Sequence, residues 1–278
     1  MADLVYPPVV VALKSLWKAL GLKFDFQGQE HLPDQNHGGA VLAMNHISYL
    51  DFALVGTAAL PMRRYVRFMA KKEIFNNKLA GPLMRGMHHI SVDRSNGSAS
   101  LVAAMRALRD GEIIGIFPEG TISVSFEIKE LKSGAVRLAQ GAGVPVIPTI
   151  IWGSQRLWTK KVKRNLKQRG VPISVTFGEP IYFEKGSDVE AGEAILREAM
   201  VKMLHEVQEK YPDSHQGQRW APVRLGGTAP APLNKRTWLR RQKKKLSPLA
   251  SKRSAMHMQS PRQLSLGLVR SLRQSSLS

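Results

Sequence analysis

Two short apolar runs, Ala40–Met44 and Ile113–Phe117, constrain the fold of this chain more than any other feature. Neither alternates with polar residues, which suits strands covered on both faces and therefore a parallel sheet between layers of helix. Each run stops abruptly at a polar cluster. The first is followed by Asn45-His46-Ile47-Ser48-Tyr49-Leu50-Asp51 and the second by Pro118-Glu119-Gly120-Thr121. In an open α/β sheet the crevice beyond the strand carboxyl ends is where ligands bind, so both clusters are predicted to lie on the functional edge.

His46 and Asp51 are the candidate catalytic pair. The stretch from Tyr49 to Ala59 is apolar enough for a helix, which puts Asp51 on the first turn and His46 in the strand-to-helix corner. From there a carboxylate can take one ring nitrogen, fix the tautomer and leave the other nitrogen as a base toward a hydroxyl. The spacing has a plainer reading too: Ser48 with Asp51 three later is close to a capping box, so Asp51 can equally serve a helix start.

Taken in order, Asn45-His46 with Asp51, His89-Ile90-Ser91-Val92-Asp93-Arg94, Phe117-Pro118-Glu119-Gly120-Thr121 and Val144-Pro145-Val146-Ile147-Pro148 resemble the blocks of the glycerolipid acyltransferases, specifically the 1-acylglycerol-3-phosphate acyltransferases. The resemblance covers about residues 25 to 205. It implies transfer of a fatty acyl group from a thioester, carried by coenzyme A or a carrier protein, to the hydroxyl of lysophosphatidate. His46 would act as base, Asp51 would orient it, and Arg94 would hold the acceptor phosphate through its planar fork. Glu119 would accept from the acceptor's glycerol hydroxyls, Gly120 would permit close approach and Thr121 would donate. An ion pair for Arg94 and an ordinary turn for Pro118–Thr121 are the structural alternatives. One departure stands out: the family commonly carries arginine directly after the threonine, and this chain has Ile122. Lys129, Lys132 or Arg137 would then share the phosphate, or the acceptor would be glycerol-3-phosphate, another lysophospholipid or a glycolipid.

The whole reads as a single α/β domain with a mostly parallel mixed sheet flanked by helices. Residues 1–22 are expected to form an N-terminal amphipathic membrane-interface helix, 23–213 the acyltransferase domain and 214–278 a basic, low-complexity, disordered tail. Pro7 and Pro8 mark the first helix start, and Val9, Val10, Leu13, Leu16, Trp17 and Leu20 form its apolar side. That side suits a bilayer interface or the domain core equally, and the apolar run is too short to span a membrane. The start lacks the positive region of a secretory signal and is expected to be retained. Lys23–Gln29 suits an edge strand, and Tyr65–Ala70, His89–Val92, Val144–Trp152 and Val171–Phe177 further strands. Asn77–Met87, Gly97–Asp110, Ser133–Gly141 and Val189–Tyr211 read as helices, the last with Ile195, Met200, Met203, Leu204 and Val207 inward. His88 and His89 lack ligand spacing and read as structural.

Charge then bounds the partners. The chain carries a formal +20, yet Ser214–Ser278 holds fourteen Lys and Arg and no acid, leaving 27 basic against 21 acidic residues before it. Lys160–Arg169 adds six basic residues without an acid. A solvated loop is the default for such a stretch, but beside the site it would draw phosphate groups or an anionic membrane. With no cysteine, disulfides and a cysteine acyl-enzyme are excluded. No metal or redox cofactor is called for and no obligate protein partner is inferred. The expected place is the cytoplasmic face of the cell membrane, held peripherally. The rival class is a silent binding protein whose Trp220 and Trp238, interleaved with basic residues, stack on nucleic acid bases. The intact His46 and Asp51 argue against it, so no nucleic acid is expected.

Overall fold

The computed structural model describes residues 3–34, 38–93 and 97–232. Seven strands form one sheet: β1 (Lys23–Gln27), β2 (Ala40–Met44), β3 (Val66–Lys71), β4 (Ile90–Val92), β5 (Ile113–Ile116), β6 (Val146–Trp152) and β7 (Pro172–Phe177). Their order is β1-β7-β6-β2-β5-β3-β4. Every neighbouring pair is parallel except β6 with β7, so β1 and β7 run together against the other five. The helices are α1 (Tyr6–Ala19), α2 (Asp51–Ala59), the short α3 (Lys72–Phe75), α4 (Ala80–Gly86), α5 (Gly97–Arg109), α6 (Gly134–Ala142) and α7 (Val189–Glu209). This is the mixed, mostly parallel α/β architecture expected of the sequence.

The lack of alternation in β2 has its cause in the layers. Ala40, Leu42 and Met44 face one core with α1 and α2, while Val41 and Ala43 face a second core with α5, α6 and α7. All five residues are fully buried. From β2 the chain crosses over α2 to β3, passing β5 on one face; from β5 it crosses over α6 to β6, passing β2 on the other. Connections leaving adjacent strands in opposite directions open a crevice at their carboxyl ends, a topological switch point. His46 and Glu119 both stand there.

α1 resolves the two readings left open for its apolar side. Trp17 and Leu20 are 2% and 3% exposed and pack into the α2 core. Trp17 Nε1 donates to Thr57 Oγ1 at 3.0 Å and the Tyr6 hydroxyl to Val66 O at 3.0 Å. A buried aromatic polar atom needs a partner, and these two find theirs inside the domain. Of that apolar side, Trp17 and Leu20 are turned into the domain, Val9, Val10 and Leu13 are half-buried and Leu16 is exposed. Among the described residues no helix is long and apolar enough to cross a membrane.

Two other boundaries move. In α7 the buried stripe is Leu196, Met200, Leu204 and Val207, and Ile195 is exposed, because spacings of four and three set the inward face and Ile195 falls one residue out of phase. Residues 214–232, assigned from composition to the tail, pack onto the domain. Trp220 sits 4.6 Å from the Arg156 guanidinium and 5.8 Å from Tyr211, and Ala221 and Ala229 are buried. Trp220 is thus engaged in an internal cation–π stack. Trp238 and the rest of 233–278 lie outside the described residues.

Candidate active site

β2 delivers His46 through a turn that is fastened at every residue. At the strand exit the Asn45 amide donates to Ile151 O at 3.0 Å and accepts from Ile151 N at 2.7 Å. The side chain continues the ladder to β6 where the main chain of β2 turns away, which is why an amide suits this position. The His46 amide donates to Glu119 Oε1 at 2.9 Å, and its carbonyl accepts from Ser123 N at 2.7 Å. Ser48 Oγ and Tyr49 N both donate to Trp158 O, and Thr159 Oγ1 donates to Ile47 O at 2.6 Å.

The imidazole is positioned as closely as the backbone. His46 Nδ1 lies 3.0 Å from Asp51 Oδ2, and the ring stacks on Phe117 at 4.0 Å between centroids. The His46 side chain is 19% exposed and that of Asp51 is fully buried. Asp51 Oδ2 also accepts from Ile47 N and Ser48 N, each at 2.8 Å, while Oδ1 accepts from Ser154 Oγ at 2.7 Å. A buried carboxylate is tolerable only when its lone pairs are used, and here four donors use them. A carboxylate only accepts, so Nδ1 carries the ring proton and Nε2 presents a lone pair. The plainer reading of Asp51 holds as well: it closes the turn leading into α2, and one carboxylate performs both tasks.

Glu119 occupies a different place from the one its motif suggests. Its side chain is fully buried, Oε1 taking the His46 amide and Oε2 the Lys129 amide at 3.2 Å, with the Lys129 ammonium 3.8 Å away. Burial pushes the Glu119 carboxyl above its ordinary range and pulls the Lys129 ammonium below its own, each effect opposed by the other's charge. The carboxylate thus lies under the motif rather than at its surface, engaged with main chain. Lys129 Nζ reaches Thr121 Oγ1 at 2.9 Å. Gly120 takes a left-handed conformation, φ 68°, that admits glycine most readily, and the Lys132 side chain lies against it.

His46, Asp51, Glu119, Gly120 and Thr121 are therefore brought together across β2 and β5, whereas Arg94 falls outside the described residues. Arg137 is exposed on the α5–α6 side, beside Leu101 and Met105. Lys72 pairs with Asp93 at 3.0 Å. His89, read as structural, is so: its Nδ1 accepts from Phe68 N at 3.1 Å in a buried setting. Sequence reasoning passed over Ser154 and Ser123. Ser154 had a signal, since it follows Gly153 at the end of β6, on the same edge of the sheet. Gly153 has φ 95°, and a Cβ there would stand 2.1 Å from Pro172 O, so the turn that aims Ser154 at Asp51 requires glycine.

The chain is similar to known acyltransferases. The acyltransferase family model matches residues 23–152. A 1-acyl-sn-glycerol-3-phosphate acyltransferase of Bacillus subtilis is 32% identical over 185 residues, covering 66% of this chain and 86% of that protein. The enzyme of that name from Limnanthes alba is also 32% identical, over 67% of this chain, which spans 62% of its length. The crystal structure of the 1-acyl-sn-glycerophosphate acyltransferase PlsC of Thermotoga maritima shares the fold, with a TM-score of 0.60 at 22% identity over 74% of this chain and 82% of that one. By this likeness in sequence, the chain belongs to the 1-acyl-sn-glycerol-3-phosphate acyltransferase family.

Proposed function

We propose that this acyltransferase moves a fatty acyl group from a thioester to the sn-2 hydroxyl of lysophosphatidate, giving phosphatidate, with His46 as the base. The observation that carries the reading is the 3.0 Å contact of His46 Nδ1 with the buried, four-donor Asp51 carboxylate at the switch point of the sheet. His46 Nε2 takes the hydroxyl proton as the oxygen forms its bond to the thioester carbonyl carbon. The carbon–sulfur bond then breaks, and the departing thiolate takes the proton back from Nε2. Asp51 orients the ring and stabilises its protonated form, the part played by the carboxylate of a serine triad. Glu119 acts as a positioning residue that holds the His46 amide, and Thr121 with Gly120 lines the acceptor's approach. Arg94 remains a proposed phosphate ligand.

Lysophosphatidate and long-chain thioesters are met at lipid surfaces, and the surroundings of the site suit one. Tyr49 and Phe52 are 44% and 40% exposed beside the His46 turn. The six basic residues of Lys160–Arg169 follow Trp158 and Thr159, which are bonded to that turn. Apolar rings beside clustered cations favour an anionic bilayer, consistent with a peripheral enzyme on the cytoplasmic face of the membrane. The test is acyl transfer from long-chain acyl-CoA to lysophosphatidate in vesicles, comparing wild type with His46→Ala. Phosphatidate from wild type and a fall of roughly 10²- to 10⁴-fold in the variant is the expected result. Equal turnover by both would remove the histidine from the mechanism.

A further inference from the structure

Ser154, the donor to Asp51 Oδ1, opens a single 3₁₀ turn, Ser154–Arg156. The two side chains that follow it are both taken by the chain beyond the end of α7. Gln155 Nε2 donates to Trp220 O at 3.2 Å. The Arg156 guanidinium donates to the Tyr211 hydroxyl at 2.9 Å and to the Asp213 carboxylate, and the Trp220 ring covers it. The Trp220 and His215 rings stand 5.4 Å apart, and His215 is 6.0 Å from Trp152, the last residue of β6 and two before Ser154. The turn that carries Ser154 is thus gripped by residues 211–220. The same stretch continues to the other member of the pair. Arg224 meets the Glu127 carboxylate at 3.4 Å and donates to Gln208 of α7, which is fully buried. Glu127 O accepts from Ser123 Oγ at 2.8 Å, and Ser123 N donates to His46 O at 2.7 Å. Between Ser123 and Glu127 stands Phe126, buried at φ 59°, a left-handed backbone that a bulky side chain adopts only where its surroundings hold it.

We infer that residues 211–229 form a strap that fixes the catalytic pair from behind, with Trp220 and Arg224 as its positioning residues, a role that rests on His46 acting as the base. Trp220 sets Asp51 through the turn that carries Ser154, and Arg224 sets His46 through Glu127 and Ser123. Each acts through an intermediate, and each intermediate ends on an atom whose place decides the reaction. A base is effective only within a narrow range of distance and angle, so a support lost well away from the chemistry still lowers the rate. The strap's own contacts add little to folding by comparison. A partly exposed ion pair such as Arg224 with Glu127 contributes little stability, so its loss is read in catalysis before it is read in unfolding.

The experiment uses the full chain, with Trp220→Ala, Trp220→Phe, Arg224→Gln and Arg224→Lys, alone and combined with Ser154→Ala or Ser123→Ala. Acyl transfer from acyl-CoA to lysophosphatidate is followed below the unfolding transition of each variant. Trp220→Ala should lower kcat about fivefold, the worth of one neutral hydrogen bond to Asp51, with KM unchanged for both substrates. In a Ser154→Ala background the same change should cost nothing further, because its route to Asp51 is already gone. Arg224→Gln should lower kcat similarly and lose its effect in a Ser123→Ala background. Trp220→Phe and Arg224→Lys should restore most of the rate. Equal losses in both backgrounds, or a loss shared with KM, would make the strap a stability element and overturn the positioning role, and so would an unchanged kcat. Should Trp220→Ala not fold, Trp220→Leu, which keeps an apolar side chain but no ring over the guanidinium, takes its place. A second readout needs no turnover. The His46 Nδ1 proton, held by Asp51, should give a downfield proton resonance, assigned by its loss in His46→Gln, that shifts or broadens in Trp220→Ala and returns in Trp220→Phe. A resonance that responds in a chain unable to acylate lysophosphatidate keeps the strap and removes the reaction, whereas turnover with neither kcat nor resonance responding keeps the reaction and removes the strap.

Discussion

Two carboxylates flank His46, both withdrawn from solvent, and they do opposite things. Asp51, from the start of α2, is surrounded by donors alone and takes the ring. Glu119, from the exit of β5, shares its surroundings with an ammonium and takes the main chain. One is tuned to the imidazole's proton and the other to the imidazole's place. Burial by itself therefore says little about what a carboxylate does; the donor set around it decides.

The largest expected effect tests the first half of that contrast. Asp51→Asn keeps the volume but turns an amide NH2 toward donors, and it removes the acceptor that fixes the His46 tautomer. It should lower kcat by about 10⁴-fold, as loss of the carboxylate does in a serine triad. A steady-state assay at saturating substrate reads this; a loss of only a few-fold would reduce Asp51 to a helix-start residue.

Next in size is a contrast with a buried group that has no compensating charge. His89 is held near 4 instead of 6.5, by burial first and then by the charges of Arg67 and His88. The folded state thus favours neutral His89, whose Nδ1 accepts from Phe68 N. Stability from this group is fully present above pH 6.5 and is lost as pH falls from 6.5 toward 4, by about 3 kcal/mol in all. Denaturant titrations across that window should show the slope in wild type and a flatter one in His89→Gln.

Glu119→Gln sharpens the second half. The amide can satisfy one main-chain donor but not both, so about 1–3 kcal/mol of stability should go. Kinetically the loss should fall on kcat, since the His46 amide loses its holder, and leave KM for the acceptor nearly alone. A loss concentrated in KM would instead restore the direct contact with acceptor hydroxyls expected of the motif. The smallest effect is that of Ser154→Ala, which removes one donor of four from Asp51. Thermal unfolding should register about 1 kcal/mol and kcat a change of a few-fold, well short of Asp51→Asn.

How much of this was legible in the sequence can be read from single residues. The burial of β2 on both faces, the helix after His46 and the pairing of His46 with Asp51 all follow from local pattern, because period and short spacing fix them within one element and its turn. Ser154 had a local signal, but its contact with Asp51 was not legible, since the two meet across 103 positions and only sheet order brings the ends of β2 and β6 together. Glu119 was legible as a site residue but not in its orientation: the motif says that a carboxylate stands there, and packing decides which way it faces. α1 is the same case, as its apolar side predicted burial without saying whether lipid or protein would cover it.

The sequence by itself determined the fold class, the family and the pairing of His46 with Asp51, because these are written in apolar runs and in residues a few positions apart. The tertiary structure decided what surrounds each charge: four donors on Asp51, and main chain together with the Lys129 ammonium on Glu119. The physical reason is that the energy of a charge is set by the atoms within a few ångströms of it, and those atoms come from segments that only the folded sheet brings together.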